Sequence, residues 1–388
     1  MLSFMSEEST TVVIIGAGVA GLALANFLLK RGVRCTVLER SSRAHVEQRQ
    51  RAGVIDTRAV RMFRAWGIEE RVVGGTPTSS VLSFRIDGQT RSLALDPNDH
   101  GDGRFCPQRV LVQNLMNVFV ADGGDLRFEA EVAIESVEPP VVHYRDRAGA
   151  SHTIRCDVIA GCDGARGVSR AAIPTEHVTR YAREYGYAWL TVLADVAPAH
   201  QSMMAIHERG FAGQFARGPA ASRFYLQSAL DRDGWTDDEI WDELERRFGE
   251  PLTRGRIAST QLVPIRSVVY APMSYRRLYL LGDAAHLIPP MSAKGMNLAL
   301  HDADVFAKAV IQSNGGDASA LEAYSSTCLR HVWNYQAFAE QWTDMIHDAG
   351  DASHRGEYRR RLARADLERL FTSSSANRLV SEFLAGLV

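Results

Sequence analysis

The stretch Thr11-Val12-Val13-Ile14-Ile15-Gly16-Ala17-Gly18-Val19-Ala20-Gly21-Leu22 decides how the chain is read. Its opening β-branched run predicts a short buried strand, the three glycines at G-x-G-x-x-G spacing a tight turn, and the apolar residues on to Leu29 a helix. Gly16 permits the turn, Gly18 lets a pyrophosphate approach the backbone, and Gly21 lets the helix pack close to the strand. A second strand, Val33 to Leu38, ends at Glu39, where a carboxylate accepts hydrogen bonds from a ribose. The motif alone also fits an ordinary glycine-rich turn. The strand before it, the helix after it and the acid ending the next strand together read as a dinucleotide cradle, which FAD and NAD share.

The rest of the composition sets limits. A chain of 388 residues with 46% hydrophobic and 23% charged residues buries a full core and is long for one domain, so one large or two interleaved domains are expected. A formal net charge of -2 with no basic stripe gives no reason to expect nucleic acid or an anionic membrane. The apolar runs are far short of a membrane span. Cys35, Cys106, Cys156, Cys162 and Cys328 contain no C-x-x-C pair, which disfavours a disulfide framework or a zinc site and fits a reducing cytoplasm. The leader Met1 to Thr10, carrying Glu7 and Glu8, reads as a disordered tail.

Further along, Arg49-Gln50-Arg51-Ala52-Gly53-Val54 reads as a phosphate grip or a solvated charge cluster, followed by a helix from Thr57 to Trp66. Alternation from Val81 to Leu95 around Asp87-Gly88 predicts a β-hairpin. Gln108-Arg109 opens an amphipathic helix to about Ala121. The apolar strand ending at Gly161 runs into Cys162-Asp163-Gly164 and a polar turn with Arg166 and Ser169. Between Tyr185 and about Gln227, strand formers separated by turns predict an antiparallel sheet, closed by a helix over Asp237 to Phe248. Arg217 and Arg223 lie on those strands; facing a cavity, such an arginine would grip a carboxylate bidentately. Then Leu280-Leu281-Gly282-Asp283-Ala284-Ala285-His286 ends a strand in Gly-Asp, and a loop through Pro289-Pro290 leads to a helix starting near Lys294. Asp283 is placed to accept hydrogen bonds from a hydroxyl chain, and the helix N-terminus offers amides to a developing anion. Helical patterns, Met296 to Ser313, Ala318 to His347 and two shorter ones, fill the remainder.

The cradle, the Cys162-Asp163-Gly164 turn and the Gly282-Asp283-Ala284-Ala285-His286 segment, in that order, closely resemble the single-component FAD-dependent aromatic hydroxylases, over about residues 11 to 345. The resemblance implies an α/β fold: a Rossmann-like, glutathione-reductase-type FAD-binding domain (11–80, 98–180 and 257–345), an inserted antiparallel β-sheet substrate domain (81–97 and 181–256) and a C-terminal helical region (346–388). It assigns the ADP half of FAD to Gly16, Gly18, Gly21 and Glu39, FAD phosphates to Arg51, and the flavin to Gln108. Asp163 and Gly164 would touch flavin and nicotinamide cofactor, Asp283 the ribityl chain, and the helix end Lys294, Gly295, Met296 and Asn297 would stabilise negative charge on the reduced flavin. Arg223 matches an arginine tied to flavin movement, Arg217 and Tyr225 the residues that grip a benzoate carboxylate, and Pro290 a backbone carbonyl near the hydroxyl or amino group opposite it. The implied chemistry is that NAD(P)H reduces FAD, O2 adds at the flavin C4a, and the distal oxygen of that hydroperoxide reaches an electron-rich ring.

Departures from the family pattern are equally informative. Members acting on 4-hydroxybenzoate drain the phenol proton through two tyrosines; the first falls here on Met204, or on Ala205 if the preceding loop shifts, and the second within Phe383-Leu384-Ala385-Gly386. A carboxylate-binding serine aligns with Phe215. Losing the relay should slow hydroxylation of plain 4-hydroxybenzoate. Two expectations then carry equal weight: a ring already activated by an amino group, such as an aminobenzoate or 3-amino-4-hydroxybenzoate, or the same substrate with another proton route. Arg40 and Arg49 lean the coenzyme towards NADPH, although His45 stands where NADPH-using relatives often have tyrosine. The resemblance also implies a homodimer. Rival expectations are another flavin class, such as a halogenase, for which the W-x-W-x-I-P segment is missing, and a non-catalytic flavin-binding protein.

Overall fold

The computed structural model describes residues 7–48, 53–78, 81–94, 101–200, 202–232, 234–348, 350 and 352–388. Strand Glu7–Ile15 lies at the centre of a sheet, parallel to Ser151–Gly161 on one side and to Cys35–Glu39 on the other. Leu278–Leu280 and Asp125–Phe128 extend this parallel core at its two edges. Helix Val19–Leu29 packs on it with ten consecutive buried residues, and helices Gln108–Ala121 and Gly295–Asn314 pack against that helix. A helix apolar all round belongs between layers.

The tail expected before Thr11 is corrected from Glu7 onward: Glu7 to Thr10 pair in register with Thr153 to Cys156. The Glu8 carboxylate meets Arg127 at 2.7 Å, so its charge is compensated at the sheet's end. Residues 1–6 lie outside the described residues.

A second, mainly antiparallel sheet has eight strands. At one end stands the hairpin Val81–Ile86 and Gln89–Ala94, turning at Asp87-Gly88. Next come Ser202–His207, Gly210–Ala216, Ser222–Ala229, Thr179–Ala194, Ile257–Ala271 and the short His286–Leu287. Two of these strands differ from the sequence reading. Thr179–Ala194 begins well before Tyr187, and Ile257–Ala271, assigned to the dinucleotide domain, pairs with it from Thr179↔Ala271 to Ala194↔Ile257. The partner of Ile257–Ala271 on its far side is only His286–Leu287, so most of it is an edge strand, where Pro264 and polar residues are tolerated.

One face of this sheet, through Leu190, Val192, Ala205, Ala212, Phe224 and Leu226, packs on helix Asp237–Phe248. That helix starts in a capping box, Thr236 with Glu239. The other face shares a core with the loop around Met291 and with helices Ser319–Ile346, His354–Thr372 and Ser374–Ala385. The two sheets therefore meet at His286–Leu287, where the dinucleotide half delivers a strand to the edge of the substrate half. No helix among the described residues is long and apolar enough to cross a membrane.

Candidate active site

The glycine cradle has the geometry its spacing demands. Gly16 has φ of 106°, and a Cβ there would lie 2.5 Å from the Cys162 carbonyl oxygen, because strands 7–15 and 151–161 end side by side. A Cβ on Gly21 would meet the Gly16 carbonyl oxygen at 2.0 Å. By contrast, the nearest atom to a Cβ on Gly18 is 4.0 Å away. The open side of the turn is thus at Gly18, next to helix amides that no side chain caps. Glu39 is buried; its two carboxylate oxygens accept from the Ala17 and Ser41 amides at 2.9 and 2.8 Å, which fixes the acid against the turn. Arg40 beside it is exposed.

Arg49 and Arg51 lie outside the described residues. The chain from Gly53 onward is pressed against the start of helix 108–121: a Cβ on Gly53 would sit 2.1 Å from the Cys106 carbonyl oxygen and 2.9 Å from the Gln108 amide nitrogen. Asn297 ties the same segment to helix 295–314, accepting from the Asp56 amide at 3.1 Å and donating to the Val54 and Ala293 carbonyls at 3.0 Å.

Asp163 is held on one side only. Its Oδ2 accepts from the Ser169 amide at 2.8 Å and the Ser169 hydroxyl at 2.9 Å, while Oδ1 is buried with no hydrogen bond of good geometry among the described residues. Burial raises its pKa against the opposing pull of Ser169 and of the Asp163 and Val168 amides. Gly164, at φ 76°, opens onto empty space. Arg170 donates to the Ala284 carbonyl at 2.9 Å and the Ala165 carbonyl at 2.6 Å, so it joins the Asp163 and Asp283 turns. Beneath them Asp302 accepts from the Gly282 amide at 2.9 Å and meets His286 Nε2 at 2.7 Å. Burial disfavours a charged His286, yet Asp302 outweighs it and the imidazole pKa rises. Sequence reading gave Arg170 and Asp302 no role; only the Arg170 position beside Ser169 hinted at one.

The loop to helix 295–314 contains the left-handed Ala293, and no side chain caps the helix. The Pro290 carbonyl accepts from the Ala293 amide at 3.0 Å, leaving one lone pair. Lys294 is buried, donating to Asp56 Oδ2 at 2.7 Å and to the Leu384 carbonyl at 2.8 Å, and its nitrogen lies 5.1 Å from the Tyr335 ring centre. Burial lowers its pKa against the pull of Asp56. Its charge is thus shared with a carboxylate. Gly295 and Met296, half-buried, and Asn297 form the first turn behind it.

Strand register gathers the candidate substrate residues. Phe84, Met204, Gly213, Tyr225 and Thr191 stand opposite one another across successive strands, and Ser202, Phe215, Arg223 and Leu193 form the row two residues away. Two residues along a strand return to the same face. Met204, Phe215, Arg223 and Tyr225 therefore share the face turned to Met291 and Leu298, beside Pro290 and Lys294. Gly213 was not singled out in the sequence; a Cβ there would meet the Phe211 and Phe215 rings at 2.9 and 3.1 Å, so its bareness lets those rings close over the strand. The Phe215 ring stands edge-on to Tyr225 with centres 5.6 Å apart. Trp189 flanks Tyr225 from behind at 4.7 Å and donates to His347 Nε2 at 2.7 Å. Arg217 continues the Phe215 side at the hairpin, its amide bonded to Ala221. Its Nη2 is buried without a partner among the described residues, and burial, with Arg223 adding to it and the charge and hydrogen bond of Tyr225 opposing, lowers its pKa.

Open space at Gly18, an unpaired buried oxygen on Asp163 and an uncapped helix 295–314 make a site shaped for a flavin dinucleotide, set beside an aromatic-walled face carrying an arginine. The model of the FAD binding domain family matches residues 9–339. The chain is 32% identical over 400 residues to p-hydroxybenzoate hydroxylase of Acinetobacter baylyi, covering 99% of this chain and 96% of that protein. It is 25% identical to a probable NADH-specific resorcinol 4-hydroxylase of Rhodococcus jostii, covering 84% of this chain and 63% of that one. Among solved structures, p-nitrophenol 4-monooxygenase of Pseudomonas putida superposes with a TM-score of 0.81 at 18% identity, covering 98% of this chain and 99% of that one, which speaks for the fold. The chain belongs to the FAD-dependent monooxygenase family that includes the aromatic hydroxylases. FAD is its cofactor.

Proposed function

We propose that the protein hydroxylates a benzoate-type ring bearing a hydroxyl or amino group, using NAD(P)H and O2. The observation that carries the reading is Arg217: a guanidinium nitrogen buried without an acceptor among the described residues, next to Tyr225, whose ring packs in the cluster with Met291 and Leu298. A buried donor left unpaired costs about 1–3 kcal/mol, and a carboxylate returns that through charge-assisted bonds. Bound FAD supplies the redox chemistry, taking two electrons from NAD(P)H and activating O2 for transfer of one oxygen to the ring. The protein's part is placement. Arg217 and Tyr225 hold the carboxylate, Met204 and Phe215 line the ring, and the free lone pair of Pro290 accepts from the opposite hydroxyl or amino group. The amides of Gly295 to Asn297 favour negative charge on the flavin. Gly16, Gly18, Gly21, Glu39, Gln108, Asp163, Gly164 and Asp283 hold the dinucleotide, and Arg223, facing the same cleft, steers the flavin between positions.

Met204 and Phe215 offer no hydroxyl for deprotonating a phenol, and an amino group activates a ring without losing a proton. This favours an aminobenzoate or 3-amino-4-hydroxybenzoate. A second reading, 4-hydroxybenzoate itself, is favoured by the Acinetobacter relative. Titration of the holoenzyme's flavin absorbance with the free acids and their methyl esters tests the carboxylate grip. The acids should bind about 100-fold more tightly, and Arg217→Gln should remove most of that difference. Equal affinity for acid and ester would overturn the reading.

A further inference from the structure

We infer that His347 is a positioning residue for the carboxylate grip: it fixes the Trp189 indole, and the indole fixes the Tyr225 ring beside Arg217. The inference rests on the benzoate reading above. In that reading Tyr225 acts through its hydroxyl, which bonds the Arg217 guanidinium. A tyrosine hydroxyl stands at the far end of a ring that turns about its side-chain torsions, so its place is set by whatever walls that ring.

Phe215 stands edge-on to Tyr225, and Trp189 lies closer, tilted by 47° with centres 4.7 Å apart. Strand register puts the indole there. Thr191 is opposite Tyr225, and Trp189, two residues earlier and on the same face, is opposite Gln227. The indole also stacks on Phe211, centres 5.2 Å apart and planes 23° from parallel. Stacking leaves an indole able to slide and turn in its own plane, whereas a directional bond at its nitrogen removes that freedom.

That bond goes to His347, the residue that ends helix 319–346. The indole nitrogen can only donate, and it donates to His347 Nε2 at 2.7 Å. His347 Nδ1 lies 2.9 Å from the Thr343 carbonyl, which can only accept, so the imidazole proton sits on Nδ1 and Nε2 is bare. Only the neutral imidazole meets both demands. Burial pushes its pKa down to about 4, which keeps it neutral at neutral pH.

His347 is itself anchored to the strands it serves. Its ring stacks on Tyr187 with centres 5.2 Å apart. The next residue is clasped by Gln227, whose Oε1 accepts from the Asp348 and Phe211 amides, each at 3.1 Å, while its Nε2 donates to the Asp348 carbonyl. The end of helix 319–346 is thus pinned to the sheet that carries Trp189 and Tyr225. Without the His347 acceptor the buried indole N–H would be stranded, and the indole would turn towards another partner, releasing the Tyr225 ring.

The test reads the affinity ratio of benzoate acids to their methyl esters, by flavin absorbance of FAD-loaded enzyme. His347→Phe keeps a flat buried ring and removes the acceptor; Trp189→Phe keeps an aromatic ring and removes the donor. The acid-to-ester ratio should fall about tenfold in each and no further in the double variant, with FAD content and the ester Kd of His347→Phe unchanged. His347→Gln, whose side-chain oxygen reaches the place of Nε2, should recover the ratio to within about threefold of wild type. In a Tyr225→Phe background, His347→Phe should leave the ratio where it stands, because it acts through Tyr225. If His347→Phe fails to hold FAD, Trp189→Phe carries the same predictions. A wild-type ratio in these variants, acid and ester weakened alike, or an undiminished effect without the Tyr225 hydroxyl would overturn the positioning role and leave the benzoate reading standing. Wild-type enzyme that does not distinguish acid from ester would overturn that reading, and the inference with it.

Discussion

Gly18 and Gly21 separate what the cofactor needs from what the fold needs. A methyl on Gly21 collides with the Gly16 carbonyl whether or not FAD is bound; a methyl on Gly18 enters open space and meets only the cofactor. Gly21→Ala should therefore lower the melting temperature of apoprotein and abolish flavin retention. Gly18→Ala should leave the apoprotein's melting temperature nearly unchanged but weaken FAD at least tenfold, about 1.4 kcal/mol, by fluorescence titration. Matching losses of apoprotein stability in both would contradict this account of Gly18. The same two positions show what the sequence makes legible: glycine spacing reports local backbone needs. Asp302, Arg170 and Gly213 went unassigned because their partners, Gly282 and His286, Ala284, and the Phe215 ring, are chosen by tertiary packing.

Among the elements, the join between helix 295–314 and the chain's end is the most exposed to perturbation. Lys294 is 2% exposed and Asp56 5%, and Asp56 Oδ1 also caps helix 57–65 through the Ala59 amide at 2.9 Å. Removing one member of a buried ion pair strands the other, typically at about 3–5 kcal/mol. Lys294→Met should thus lower the denaturation midpoint substantially, whereas Asp56→Asn with Lys294→Met together should recover part of the loss; additive losses in a double-mutant cycle would show that the pair is uncoupled. Helix 108–121, amphipathic though no side chain caps its start, and helix 237–248, which begins in a capping box, have ends that match their sequence signals. Strand 257–271 does not, because an edge strand with Pro264 and polar faces lacks the alternation that marks a half-buried one. The candidate substrate residues were likewise separated in sequence, and Met204, Phe215 and Tyr225 come onto one face only through the register of three strands.

At the scale of the whole molecule, buried histidines make stability depend on acidity. Burial, helped by Arg58, lowers His301 to about 2 and His331 to about 3, and burial lowers His347, whose Nε2 accepts from Trp189, to about 4. Each binds fewer protons folded than unfolded, so its stabilisation is full above the ordinary pKa near 6.5 and is lost as pH falls towards the folded value. His286, raised by Asp302, has its window above 6.5: its stabilisation is full below that value and is lost as pH rises towards the folded value, so it offsets none of the three in acid. Net stability should therefore fall below pH 6.5 by up to about 1.4 kcal/mol per pH unit for each of the three histidines. Denaturant midpoints at pH 7.5 and 5.5 measure this, and equal midpoints would contradict it.

On the proposed function, the flavin site and the arginine-bearing aromatic face work together on a benzoate. NAD(P)H consumption by the FAD-loaded enzyme across hydroxy- and aminobenzoates, with product mass measured in parallel, tests it most directly. A benzoate carrying an amino or hydroxyl group should stimulate consumption and gain one oxygen, with aminated rings ahead of 4-hydroxybenzoate. Stimulation only by aromatics without a carboxylate, or consumption with no oxygenated product from any benzoate, would contradict it.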